Sequence, residues 1–508
     1  MVARTHKSQL SDPFSVVLQP PPNETPAERQ QRVELEQEQK RVSDQIDDEL
    51  RKERADRKKR SKREVKVLLL GQAESGKSTV LKNFRLKYAP TQWKAELRSW
   101  RAVIQLNLIQ NVLTILDLMQ DHLAVLDSPP ASAAPPPQSP YGRVSIDSTL
   151  SDISVATGGR SPADIVLTQK HRVLNLRLSP LREVGDDLRR RLGASDPEFT
   201  FANGSDGAMN GVLDDYGPQR KSSREFGVRG WIGALGLQSN GSKKSDEPMP
   251  VDEATEILAT LRDDIISLWE DTDVRDLLKV KSLRIEDRPG FFLSDTARIT
   301  NRTYVPSDND VVRARLRTLG VQEWRIRLEQ SSETYVFPGD SFGSEWVIYD
   351  VGGSRSMRHA WLPYFDAVNA IIFLAPISCF DERLAEDPSV NRLEDTLLLW
   401  RAIVSSSLLK KTTLIVFLNK CDLLKRKLQS GVQVNKYMIS FGNRDNEVGV
   451  VVKYLKDKFK DIIRADASEP RTTYLYATSV TDTKATAATL NIVRDGIIRE
   501  HLKHAEFV

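Results

Sequence analysis

A chain of 508 residues with 39% hydrophobic content has room for more than one domain, yet part of it is too polar to pack into a core. Its 74 basic and 70 acidic residues sum to a formal charge of +4, which argues against a dedicated nucleic-acid binder, and only two cysteines, Cys379 and Cys421, exclude a disulfide framework. No apolar run approaches the roughly eighteen residues of a membrane span, and residues 1–19 lack the apolar core of a signal peptide, so a cytosolic or peripheral protein is expected.

Residues 1–25 are polar and proline-bearing and are expected to lack order. Residues 26–63 read as a helix with Val42, Ile46 and Leu50 on one narrow stripe. It turns basic through Arg51, Lys52, Arg54, Arg57, Lys58, Lys59, Arg60, Lys62 and Arg63. Three readings stay open for it: a solvated face, a partner groove for the stripe, or an anionic membrane surface for the basic end.

The apolar run 65–70 then ends in Gly71-Gln72-Ala73-Glu74-Ser75-Gly76-Lys77-Ser78-Thr79 and passes into a helical pattern. A strand that closes in G-x-x-x-x-G-K-S before a helix is a phosphate cradle, because loop N–H groups and the helix N-terminus converge on anionic oxygens. Lys77 would reach the β- and γ-phosphates and Ser78 would place its hydroxyl on Mg²⁺. A plain glycine-punctuated turn is the alternative.

Residues 93–119 carry apolar side chains every three or four positions, which predicts one long amphipathic helix with a core-facing stripe. Between about 127 and 250 the composition shifts to Pro, Ser, Gly and Asp, predicting a largely disordered insertion within which short helices such as 165–192 survive. Helical spacing resumes at 251. Short apolar runs at 335–337, 346–349, 370–375, 413–418 and 473–476 read as strands, mostly separated by helical patterns, which is the signature of an α/β domain on a mainly parallel sheet.

Motifs fall where such sheets bind ligands, at strand carboxyl ends. Asp350-Val351-Gly352-Gly353 follows run 346–349; its aspartate could hold Mg²⁺ through water, and a glycine N–H could meet a γ-phosphate. Asn419-Lys420-Cys421-Asp422 follows run 413–418. The Asp422 carboxylate suits the N1–H and 2-amino donors that guanine has and adenine lacks, while Asn419 would brace the site and the Lys420 stem would cover the base. Thr478-Ser479-Val480 could offer an N–H to the guanine oxygen.

With these strings in this order, the chain resembles a heterotrimeric G-protein α subunit, and its long polar insertion points to a divergent fungal member. Further family-like stretches are 98–119, 285–299, 346–373 with Arg355, Arg358 and Trp361, Leu384-Ala385-Glu386-Asp387, and Thr481-Asp482-Thr483-Lys484. The resemblance implies an α/β, P-loop Ras-like GTPase domain (64–89 and 303–508), interrupted by an inserted all-α helical domain (90–302, carrying the 127–250 insertion) and preceded by an N-terminal segment (1–63).

It also implies GTP or GDP as ligand and Mg²⁺ as metal. Residues 310–318 resemble the first switch, so Arg315 becomes the arginine supplied in cis, paired with Glu74 over the nucleotide, and Thr318 joins Ser78 and Asp350 at the metal. The nucleotide-binding set becomes Gly71, Ala73, Glu74, Ser75, Gly76, Lys77, Ser78, Thr79, Asp287, Val312, Arg313, Arg315, Gly353, Asn419, Lys420, Asp422, Ser479 and Val480.

Three positions depart from the family. Ser354 stands where a glutamine orients the attacking water, Ala73 where the phosphate loop has glycine, and Leu319 where a second threonine faces GTPase-accelerating regulators. Slow hydrolysis is therefore expected. A GTP-bound scaffold that does not cycle is the alternative, and an ATP-using kinase is disfavoured by Asn419 and Asp422.

Implied partners are a βγ dimer at the N-terminal helix and the second switch near Arg358 and Trp361, a membrane receptor at residues 502–508, an effector, and no nucleic acid. The expected place is the cytoplasmic face of the plasma membrane, held peripherally: Val2 is not the glycine that N-myristoylation needs, and no cysteine precedes Cys379.

Overall fold

The computed structural model describes residues 25–127, 167–192, 252–281, 283–316, 320–329, 344–467 and 473–505. Residues up to Arg63 form one compact unit and the remainder a second. The first contains α1 (Pro26–Arg63), a 38-residue helix. Its start is a capping box in which the Thr25 backbone N–H donates to Glu28 Oε2 (2.9 Å) and Glu28 N–H to Thr25 Oγ1 (3.4 Å). Val42, Ile46 and Leu50 lie on its surface, 42–50% exposed, so the narrow stripe is open along the helix.

The second unit is built on a six-stranded sheet of order β2-β3-β1-β4-β5-β6, comprising β1 (Glu64–Leu70), β2 (Val321–Arg327), β3 (Glu345–Val351), β4 (Ala370–Pro376), β5 (Thr413–Asn419) and β6 (Thr473–Ala477). All neighbours pair parallel except β2, which runs antiparallel to β3 at the edge. The period-two rule sorts the side chains: Leu68 and Leu70 join Phe373, Trp400 and Phe459 on one face, while Val65, Val67 and Leu69 join Phe84, Trp346 and Phe417 on the other. Both faces are covered, by α11 (Arg392–Ser405) and α13 (Val448–Asp466) on the first, and by α2 (Lys77–Tyr88) and α14 (Thr483–Ala505) on the second. That is why β4 and β5 are buried at every position and read as unbroken apolar runs.

A third core belongs to a helical layer around α4 (Trp100–Asp127). The expected single helix over 93–119 is corrected: α3 (Pro90–Glu96) and a 3₁₀ turn, Leu97–Ser99, precede α4, and Pro90 fits the first turn of α3, where its missing N–H costs nothing. Residues 90–124 are long and apolar enough to cross a membrane by length and composition, but they are mostly buried, as a core helix is. Ile104, Leu108, Val112 and Ile115 of α4 pack with α5 (Gln169–Leu178), α6 (Leu181–Arg191), α7 (Glu253–Thr260), α8 (Arg262–Glu270) and α9 (Thr272–Val280). Helices α5 and α6 are short helices within the expected stretch 165–192; residues 128–166 and 193–250 of the insertion, residues 1–24, and the expected strand at 335–337 lie outside the described residues.

Candidate functional site

β1 delivers the loop from Gly71 to the start of α2. Gly76 turns at φ 105°, and a Cβ there would lie 2.5 Å from Asn419 Nδ2, so only glycine permits this approach. Glu74 also takes a left-handed φ of 59°, strain that for a side-chain-bearing residue must be held by its surroundings. The restraint is an ion pair: Arg315 Nη2 lies 2.6 Å from Glu74 Oε1. Burial alone would raise the Glu74 carboxyl, but Arg315, Lys420, Arg392 and Arg288 outweigh it and hold the acid below its usual range.

Lys77 is buried and folds back on its own loop, donating to the carbonyls of Gly71 (2.9 Å) and Gln72 (2.7 Å). Burial pushes its amine down to about 8, against the pull of Asp350 and with the push of Arg358. An anion in the loop would restore the charge. Binding of a phosphate compound above pH 8 should therefore take up a proton, and affinity should fall as pH rises beyond 8. Calorimetry in two buffers of different ionisation enthalpy measures the uptake; Lys77→Arg, which cannot deprotonate, should abolish it.

Ser78 Oγ donates to Asp350 Oδ2 at 2.6 Å, joining the first turn of α2 to the end of β3, where Leu69 and Asp350 are in register. A hydroxyl and a carboxylate are the hard oxygen donors that Mg²⁺ selects, so the pair fits that ion. Thr318 and Leu319 lie outside the described residues.

On the other side Asn419, at the end of β5, donates to the Ser75 carbonyl (2.7 Å) and accepts from Val480 N–H (3.2 Å) and Thr478 Oγ1 (3.3 Å). Segments 344 and about 60 residues away in sequence are thus tied through one amide. Lys420 is left-handed, φ 66°, and its amine is lowered by burial and by the Arg392 charge. Asp422 stands exposed in the first turn of α12 (Cys421–Gln429). Ser479 accepts from Asp482 N–H (2.8 Å), and the Val480 carbonyl accepts from Asn83 (2.8 Å). Thr79 continues α2, its carbonyl also accepting from Asn83 (2.9 Å).

Not every expected residue converges here. The Arg313 guanidinium turns to Asp295 (3.0 Å) and the Phe291 carbonyl (2.8 Å), Val312 is buried in the helical core, and Asp287 pairs with Arg426 of α12 (3.1 Å). Trp361, expected near a partner face, is buried, its indole N–H on the Gly352 carbonyl (3.1 Å), and Leu362 is the exposed apolar neighbour.

The segment after β3 rests directly on the loop. Ala73 N–H donates to the Gly353 carbonyl (3.1 Å), and a Cβ on Gly353 would meet Gln72 and Ala73 backbone at 2.4–2.5 Å. Ser354 is buried, its Oγ 3.3 Å from Ser356 Oγ. Two residues of this site, Arg392 and Asp395, carried no sequence signal, and the contacts of Gln72 and Arg358 with them were equally hidden. Gln72, wholly buried, donates to the Arg392 carbonyl (2.8 Å) and Asp395 Oδ2 (2.5 Å); Arg358 holds the same carboxylate; Arg392 donates to the Ala73 carbonyl (3.0 Å). None of these pairings has a sequence spacing to betray it.

Away from the loop, His171, Asp271 and Asp273 cluster. His171 Nδ1 accepts from Thr168 N–H (2.9 Å), so Nε2 carries the proton that faces Asp271 Oδ1 (3.2 Å) and the ring keeps no lone pair for a metal. It serves as a helix cap.

A family model described as G-protein alpha subunit matches residues 40–497. The guanine nucleotide-binding protein alpha-4 subunit of Mycosarcoma maydis is 32% identical, over 97% of this chain and 95% of that protein. The alpha-2 subunit of Neurospora crassa is 29% identical over 89% and 92%, and the alpha-1 subunit of Saccharomyces cerevisiae 26% identical over 91% and 95%.

Proposed function

The chain belongs to the G-protein alpha subunit family, and on that premise we propose that it is a guanine-nucleotide switch that couples a membrane receptor to an effector and hydrolyses GTP slowly. The supporting observation is the Asn419 amide, which links the phosphate loop at Ser75 to the loop at Thr478 and Val480. Groups suited to phosphates and groups suited to guanine thereby form one braced site. Lys77 and Arg315 supply positive charge to the phosphates, Glu74 keeps Arg315 across the loop, and Asp422 accepts from the base. Ser78 and Asp350, with Thr318, would hold Mg²⁺, which neutralises charge on the β- and γ-phosphates. Asp287, Val312 and Arg313 would shape the wall behind Arg315 rather than bring charge to the phosphates.

The slow step rests on Ser354 and Ala73. A serine side chain is too short to orient an in-line water and touch the phosphoryl oxygens together, and a methyl at Ala73, which is exposed, would intrude on the space that water and its orienting group use. The nucleotide extracted from freshly purified protein tests the whole reading. Guanine nucleotide, displaced by GTP and GDP but not by ATP, is expected; bound ATP would end it. Extracted GTP that never turns over would favour the non-cycling scaffold instead.

The exposed stripe of α1 and the segment near Arg358 and Trp361, where Leu362 is exposed, are the surfaces offered to a βγ dimer, and residues 502–508 to the receptor. GTPase-accelerating regulators would meet Leu319 in place of a hydroxyl. Attachment to the cytoplasmic face of the plasma membrane is peripheral. Residues 51–63 contribute about 1 kcal/mol per Lys or Arg that nears an anionic surface, and salt screens this. Membrane-bound protein should move to the soluble fraction between low and high salt; salt-resistant pelleting would contradict the electrostatic attachment.

A further inference from the structure

We propose that Asn107, on the helical-layer helix α4, is a positioning residue for Arg315; this rests on the reading of Arg315 as the cis arginine. The side chain of Asn107 is buried, between the fully buried Leu106 and Leu108. Its amide uses its oxygen and its nitrogen on one and the same residue. Oδ1 accepts from the Arg315 backbone N–H at 2.6 Å, and Nδ2 donates to the Arg315 carbonyl at 3.0 Å. This is how one strand residue pairs with another, and it fixes both peptide groups that flank the Arg315 Cα. With both held, the direction of the Cα–Cβ bond is set, and the guanidinium swings from a fixed base.

Neighbouring contacts serve the same backbone. Gly290 N–H donates to the Arg313 carbonyl (3.2 Å), and a Cβ on Gly290 would sit 2.9 Å from Asn107 Oδ1 and 3.0 Å from Arg315 Cβ, so glycine leaves room for the pairing. From the sheet side, Lys82 of α2 donates to the carbonyls of Ala314 (2.6 Å) and Val311 (3.0 Å), its amine 4.5 Å above the Trp100 ring. Residues 311–315 are therefore gripped from both layers, while the Arg315 side chain stays 25% exposed and reaches Glu74. Preorganisation of this kind favours a charge aimed where it is needed without reorganisation during the reaction. A buried asparagine that merely satisfied backbone groups would not need to choose the one residue whose side chain crosses the phosphate loop.

The test uses full-length Asn107→Ala, Asn107→Asp, Arg315→Ala and the Asn107→Ala/Arg315→Ala pair. It reads single-turnover GTP hydrolysis, affinity for a fluorescent GTP analogue, and amide hydrogen exchange across residues 313–316. Asn107→Ala is expected to slow hydrolysis about tenfold with affinity nearly unchanged, and to add nothing once Arg315 is alanine. Exchange at the Arg315 amide should rise in Asn107→Ala. In Asn107→Asp, which keeps the acceptor and loses the donor, it should stay low, and hydrolysis should be partly restored. Unchanged exchange, additive losses in the pair, or equal losses of rate and affinity would overturn the proposal. Should Arg315→Ala hydrolyse GTP at the parent rate, the catalytic reading of Arg315 fails, and with it Asn107's part in hydrolysis; the exchange result then reports the clamp by itself.

Discussion

Ser354→Gln is expected to raise the single-turnover rate of GTP hydrolysis by on the order of 10², about 3 kcal/mol of barrier. Ser354 precedes the 3₁₀ segment Arg355–Ala367 without a side-chain capping bond, and its hydroxyl lies a long 3.3 Å from Ser356 Oγ. Little is lost on replacing it. The longer amide gains reach past Gly353, which already touches the loop at Gln72 and Ala73. Ala73 is exposed, and if its methyl takes up room the longer side chain needs, Ala73→Gly combined with Ser354→Gln should exceed the single change. Rates are read by phosphate release from preloaded protein. A parent rate equal to that of an ordinary α subunit, or no gain in Ser354→Gln, would remove the case for slow turnover.

Asp422→Asn is expected to weaken GTP binding by on the order of 10³ and to create preference for xanthosine triphosphate. An ionised carboxylate only accepts, which suits two N–H donors on guanine, and such charge-assisted bonds are the strong ones. The amide turns one acceptor into a donor, which clashes with the guanine 2-amino group and matches the carbonyl that xanthine carries there. Asp422 is exposed in the first turn of α12, so the isosteric change should leave the melting temperature nearly unaltered. Competition between the two triphosphates for a fluorescent guanine nucleotide gives the ratio. An unchanged ratio would show that another group reads the base.

Much of this architecture was legible because parallel strands covered on both faces are continuous apolar runs, and each run ends in a loop with distinctive chemistry. β2 escaped notice for the opposite reason: it is an edge strand alternating Gln322, Glu323, Arg325 and Arg327 with few apolar positions, and only Ile326 is buried. The break at Leu97–Ser99 was hidden because the apolar spacing continues through it. Arg313, Arg315 and Arg317 look equivalent in sequence. The helix α10 (Asp308–Arg313) ends between the first two, and that change of backbone sends Arg313 to Asp295 and Arg315 to Glu74. Asn107 was one of several amides, with Gln105, Gln110 and Asn111, set among apolar positions of α4, and its partner lies 208 residues away.

Asp395 accepts at once from Gln72, in the loop after β1, and from Arg358, in the 3₁₀ segment after β3. Two regions that share one carboxylate cannot change their affinities independently. A partner that draws Arg358 away leaves a buried charge, already held below the usual carboxylate range, with only the neutral Gln72 amide and more distant charges to stabilise it. Thermodynamic reciprocity then applies: whatever factor that partner imposes on nucleotide affinity, the nucleotide must impose on the partner. Gln72 is thus a place where the strength of that exchange can be tuned without touching either ligand.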